Sequence, residues 1–137
     1  MIGKTAAKRP IVNLALDRII TLDYDLTIPY LDEDFDGDVY YKNTFGVTVL
    51  NDEQCQEIML KIDRGNAPYV LTKPFHSSQE MIERLPDGSV IFKLKVHLNF
   101  EVERLILGFG DSLEVLEPRQ LRRRIKIKLK NALKLYS

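Results

Sequence analysis

Cysteine is almost absent from this chain, and that absence limits its framework. Cys55 is the sole cysteine among 137 residues, so no intramolecular disulfide can staple the fold, and a reducing compartment is expected. Histidine is scarce as well. His76 and His97 stand apart, with no second thiol or neighbouring ligand at a zinc spacing, and no Cys–His pair marks a nucleophile. No apolar run approaches the roughly 18–20 residues that a membrane span needs. The opening MIGKTAAKRP has bases but no apolar stretch behind them, so it does not read as a secretory signal. A Gly-rich phosphate loop is missing too: Gly108-Phe109-Gly110 follows a predicted helix rather than a strand and reads as a helix end. The expectation is a soluble cytoplasmic protein that is not an enzyme, with no catalytic residue, metal, cofactor or membrane contact.

What is present supports a packed core. Hydrophobic residues make up 45% of the chain, with six Phe and six Tyr. The length suits one domain, or one domain with a fragment of another. Net charge is zero, yet its distribution is lopsided. Residues 23–57 hold ten acids against Lys42 alone, while residues 117–137 hold eight bases against Glu117 alone. Such asymmetry implies either contact between the two segments or two surfaces facing different partners.

Periodicity places the elements. Val12, Leu14 and Leu16 alternate with Asn13, Ala15 and Asp17 and lead into Ile19-Ile20, which predicts a strand over 12–22 with no partner ahead of it. Pro29 and the acidic run Asp32–Asp38 read as a linker, followed by a short segment Val39–Phe45 closed by Gly46. Strands are expected at Glu57–Ile62, Ser77–Leu85, Ser89–His97 and Leu113–Leu116. Pro86-Asp87-Gly88 turns the central pair, Pro presetting φ and Gly accepting φ > 0. In the second of that pair, Val90, Phe92, Leu94 and Val96 share one face, with Lys93, Lys95 and His97 opposite.

Helices are expected after Asn66-Ala67-Pro68 and after Asn99, where Val102, Leu105, Ile106 and Phe109 fall at i, i+3, i+4 and i+7. The order over 57–116 is β-α-β-β-α-β. That predicts an α+β fold, a ferredoxin-like sandwich with an added C-terminal helix, preceded by a remnant strand of a small β-barrel. The corresponding division is 1–28 for the tail and strand, 29–56 for the acidic linker and short helix, and 57–137 for the sandwich.

Two segments admit rival readings. Asp32-Glu33-Asp34-Phe35-Asp36-Gly37-Asp38-Val39 opens like a calcium-binding EF-hand loop, but position 12, where a bidentate Glu belongs, is Asn43. An acidic linker capping a short helix is the plainer reading. Residues 124–130 alternate like a strand, whereas Leu121, Ile125, Leu129, Ala132, Leu133 and Tyr136 mark a helical stripe, with Ile127 and Leu135 widening the buried face. Pro118 at the start and the many straight-chain residues favour a helix. Its bases Arg119, Arg122, Arg123, Lys126, Lys130 and Lys134 could neutralise phosphates, or form a solvated face.

Three stretches taken together point to a family. Val12-Asn13-Leu14-Ala15-Leu16-Asp17-Arg18-Ile19 resembles the closing strand of WYL domains, Arg-x-Phe-x-Leu-Asp-Arg-Ile. Tyr40-Tyr41-Lys42-Asn43-Thr44-Phe45-Gly46-Val47 is similar to the connector that follows that strand. His76-Ser77-Ser78-Gln79-Glu80, Asp87-Gly88-Ser89, Leu105–Gly110 and Glu114-Val115-Leu116-Glu117-Pro118-x-x-Leu121-Arg122 resemble the WYL C-terminal extension. The resemblance spans roughly residues 9–136.

It implies membership of the bacterial WYL-containing helix-turn-helix transcriptional regulators, in which a winged domain binds DNA, a small barrel senses a ligand and the extension assists dimerisation. This chain would hold the last barrel strand and the extension. Its partners would be a second copy of itself, DNA through a helix-turn-helix domain outside this chain, and a nucleic-acid effector. The family's ligand-contacting Arg corresponds to Val12 here. The contact candidates are then Arg18, Arg119, Arg122, Arg123, Lys126 and Lys130, and direct single-stranded nucleic-acid binding through the last helix is the alternative function.

Overall fold

A computed structural model describes residues 2–3, 11–27, 34–49 and 55–137. Contacts divide the chain into two compact units, Met1–Tyr40 and Tyr41–Ser137.

In the first unit, β1 (Ile2–Gly3) pairs antiparallel with β2 (Val12–Asn13). The strand predicted over 12–22 is therefore only its first two residues, and it does have a partner ahead of it. Beyond it the chain enters a 3-10 turn at Leu16–Arg18. Alternation alone does not hold a strand, because an apolar face needs a second layer to cover it. Leu16, Ile20 and Leu22 are instead well exposed. The acidic run supplies a cap: the Asp36 carboxylate accepts from the N–H groups of Asp38 (2.9 Å) and Val39 (3.2 Å), opening α1 (Gly37–Tyr41). Asp32 and Glu33, the rest of the EF-hand-like opening, lie outside the described residues.

The second unit is built on four antiparallel strands: β3 (Gln56–Ile62), β4 (Glu80–Arg84), β5 (Val90–Val96) and β6 (Leu113–Glu117). Their order across the sheet is β4-β5-β3-β6. α2 (Ala67–Thr72) lies between β3 and β4, α3 (Phe100–Gly108) between β5 and β6, and α4 (Arg119–Leu133) follows β6. The predicted α+β class and element order are both found.

One face of the sheet is the core. Ile58, Leu60 and Ile62 from β3 meet Phe92, Leu94, Val90 and Val96 from β5, all at most 1% exposed. Val70, Val102, Ile106 and Leu121 come from the helices on that side. The opposite face carries Glu57, Lys93 and Glu80, with Lys93 Nζ 3.6 and 3.2 Å from the two carboxylates. This is the alternation expected of an antiparallel sheet covered on one side.

Boundaries shift where side chains take over from the ladder. Ser77–Gln79 does not join β4, because the Ser78 N–H donates to His76 Nδ1 (3.1 Å) and the Gln79 N–H to the His76 carbonyl (3.0 Å). The predicted turn at Pro86-Asp87-Gly88 is present, with Gly88 at φ 85°. Asn99 caps α3 as expected, its Oδ1 accepting from the Val102 N–H at 3.0 Å.

For α4 the helical reading holds, but its buried stripe is shorter than predicted. Leu121 and Ile125 are buried, whereas Ile127, Leu129, Leu133, Leu135 and Tyr136 are 43–89% exposed. Burial on α4 ends at Ile125, and beyond it Lys128 still reaches Glu103 of α3 with its side chain.

Candidate functional site

α4 begins at Pro118, after a cis Glu117–Pro118 peptide, and its first turns lie against β6 and α3. Of the eight bases in α4 and its C-cap residue Lys134, three are committed to that packing. Arg122 turns back on β6, where Nη1 donates to the Val115 carbonyl and Nη2 sits 2.7 Å from Glu114 Oε1. Arg124 Nε lies 3.0 Å from Glu103 Oε1, and Lys128 Nζ 2.7 Å from Glu103 Oε2. The Arg124 contact is an ion pair rather than an aligned hydrogen bond, since its Nε finds no acceptor along the N–H direction.

The remaining bases, Arg119, Arg123, Lys126, Lys130 and Lys134, are exposed and make no ion pair among the described residues. At 100° per residue they fall within a sector of about 80°. They form a single cationic strip, flanked on one side by the exposed Leu133 and on the other by the exposed Ile127. Of the sequence candidates, the structure thus brings Arg119, Arg123, Lys126 and Lys130 onto one open face and holds Arg122 against β6. Arg18 is exposed in the 3-10 turn of the first unit.

A concavity, open and about 510 Å³, lies at one end of the sheet, lined by Lys61, Asp63, Arg64, Asp87, Ser89, Asp111, Ser112 and Glu114. Two of its acids are occupied in local turns. Asp63 Oδ1 accepts from the Asn66 N–H (2.7 Å) and side-chain amide (3.1 Å), and the Asn66 N–H first, then the Ser112 hydroxyl, hold its carboxyl below the usual range. Asp87 is lowered by the Ser89 hydroxyl first and the Ser89 N–H second. Burial pushes the Cys55 thiol up, with Lys95 opposing, so it is not an activated thiolate. No cluster of metal-ligating side chains occurs among the described residues.

Sequence reasoning missed Glu101 and Glu103. Both read as ordinary first-turn acids of α3, favourable at a helix N-terminus. Glu103 is 7% exposed and grips α4, while Glu101 accepts from the N–H groups of Val47 and Thr48, more than fifty residues away. Nothing local in the sequence signals either contact.

An antiparallel sheet covered on one side by helices, with a cationic strip on the last of them, defines an α+β domain. A protein-family model, the WCX domain, matches residues 56–133, more than half of the chain. The chain belongs to the WCX family, the C-terminal domain of WYL-family regulators. A comparison with curated proteins finds no match. No helix among the described residues is long and apolar enough to cross a membrane.

Proposed function

We propose that this chain is the regulatory end of a bacterial WYL-type transcriptional regulator. It acts in the cytoplasm without catalysis, sensing an effector and transmitting its binding, through dimer geometry, to a helix-turn-helix domain outside this chain. The WCX match over 56–133 carries this reading. The β-α-β-β-α-β order and the strand order β4-β5-β3-β6 agree with the ferredoxin-like extension of such regulators. Transmission of this kind needs the effector to bind one dimer geometry better than the other. Sedimentation of the chain tests the assembly: a dimer that persists at high salt supports the reading, and a monomer at every concentration sinks it.

A second reading is favoured by one observation, the five bases without an ion pair on α4 and its C-cap. A cationic strip binds single strands through phosphate neutralisation, with a log–log salt slope of about −0.7 per phosphate. Titration with a labelled single-stranded oligonucleotide at two salt concentrations separates the readings. Salt-sensitive binding that Lys126→Glu/Lys130→Glu abolishes supports direct nucleic-acid contact; no affinity at low salt removes it. Arg122→Glu is a poor probe, because it would also break the contacts to Glu114 and Val115.

A further inference from the structure

Residues 43–48 pass over the corner between β5 and α3 and are fastened there by few groups. The His97 N–H donates to the Asn43 carbonyl at 2.8 Å. The Asn99 side-chain amide donates to the Phe45 carbonyl (2.9 Å) and the Thr48 carbonyl (3.0 Å). Glu101 Oε2 accepts from the N–H groups of Val47 (3.1 Å) and Thr48 (3.0 Å). Between these points Gly46 stands at φ 77°, and a Cβ there would come within 2.3 Å of the Glu101 carboxylate. Only Gly both adopts that φ without strain and leaves room for the carboxylate. Phe45 is the segment's apolar anchor on the core.

The fastening also carries a defect. Thr44 is 6% exposed, and its hydroxyl oxygen has no hydrogen-bond partner; nor does the buried Nδ1 of His97 on the other side of the contact. Buried polar atoms left unpaired lose their hydration without compensation, which disfavours the closed arrangement. The closed segment is thus held by charge-assisted bonds at one end and weakened by two orphans at the other. Local openings of this kind arise where apolar contacts are few and the backbone bonds lie near the surface.

We propose that residues 43–48 form a latch, closed by Asn99 and Glu101, that opens as a unit while the sheet stays folded. Its position gives the opening a consequence. Asn99 and Glu101 hold the connector, and Glu103, two residues further along α3, holds Arg124 and Lys128 of α4. One short helix therefore grips the incoming chain and the cationic helix together. As a switch between an effector and α4 the latch rests on the regulatory reading above; as a device of the fold it stands alone.

Amide hydrogen exchange of the full chain, followed residue by residue without effector or DNA, tests it. Val47 and Thr48 should be protected, yet exchange faster than Leu60 and Phe92, whose strands need global opening. Glu101→Gln keeps the side chain's shape but removes its charge. It should speed exchange at Val47 and Thr48 by about tenfold, the effect of weakening charge-assisted bonds, with Leu60 and Phe92 unchanged. Gly46→Ala should do the same from the connector's side. Thr44→Val removes an unpaired hydroxyl at nearly constant volume and should slow exchange across the segment.

The proposal is overturned if residues 43–48 exchange at the rate of the core strands. Unprotected exchange of Val47 and Thr48 in the unaltered chain also overturns it, as does indifference of those amides to Glu101→Gln. Failure of the regulatory reading would appear instead as a chain that never dimerises, leaving these rates untouched.

Discussion

Glu103 on α3 and Lys128 on α4 meet at 2.7 Å, and the second oxygen of the same carboxylate lies 3.0 Å from Arg124 Nε. A carboxylate 7% exposed is thereby shared between two cations that remain partly in water. Such an arrangement offsets the desolvation of the acid, although Arg124 buries Nε and Nη2 without a hydrogen-bond partner. Glu103→Gln should destabilise the chain by about 1–3 kcal/mol, the range for bonds to charged groups. Arg124→Ala or Lys128→Ala should cost less, since each leaves the other cation in place. Urea midpoints at constant slope would measure the difference.

Phe92 is fully buried at the centre of the sheet, its ring 5.9 Å from that of Phe75, which in turn lies 5.4 Å from Phe109. Phe92→Ala should cost about 3–5 kcal/mol, the lost transfer energy plus the cavity left behind. Phe75 is only partly buried, so Phe75→Ala should cost less. Thermal unfolding of the two variants would rank them, and equal losses would contradict the placement of the core.

Acid should weaken the sheet's polar end. Asp63 and Asp87 have folded pKa values below the ordinary 3.8, because N–H and O–H donors favour their charged forms. Their contribution is then fully present above pH 3.8 and lost as pH falls through the lower folded values. Lys93 has the opposite sign. The hydrogen bond to Glu80, then the charge of Glu57, raise it above 10.5, so its contribution holds below that pH and fades as pH rises through the folded value. Stability against pH, compared with Asp63→Asn/Asp87→Asn, should show a shallower acid limb in the variant and an unchanged alkaline one.

Gly88 takes φ 85° in the turn between β4 and β5, and a Cβ there would lie 3.1 Å from Arg64 Cβ. Gly88→Ala should therefore cost about 1–3 kcal/mol, the strain of a non-Gly residue at positive φ. A matched substitution at Gly108, where a Cβ would meet nothing within 4 Å, should be far milder.

The parts legible in the sequence were those set by local pattern. Val90, Phe92, Leu94 and Val96 announce a half-buried strand by alternation, and Asn99 ahead of Val102 and Ile106 announces a capped helix. Pattern fails where length or distance decides. The stripe on α4 shows which face is apolar but not that its burial ends at Ile125. Alternation from Val12 looks like a strand whether or not anything covers it. In the candidate site, counting bases could not separate Arg122, spent on β6, from Arg123, which is free. Glu101 and Gly46 matter only to each other, and no periodicity links positions so far apart.

Arg122 also bears on how the sheet ends. β6 is one of its two outermost strands, where unsatisfied carbonyls invite a strand from another chain. By donating to Val115, the guanidinium occupies one such acceptor, and the helix that follows lies alongside. The opposite border, β4, is bulged between Met81 and Glu83 and carries Glu80, Glu83 and Arg84. Each border is thus guarded by a different means against head-to-tail polymerisation. A chain with Arg122→Ala would keep the helix but free that carbonyl, so any edge-to-edge pairing would begin from the β6 side.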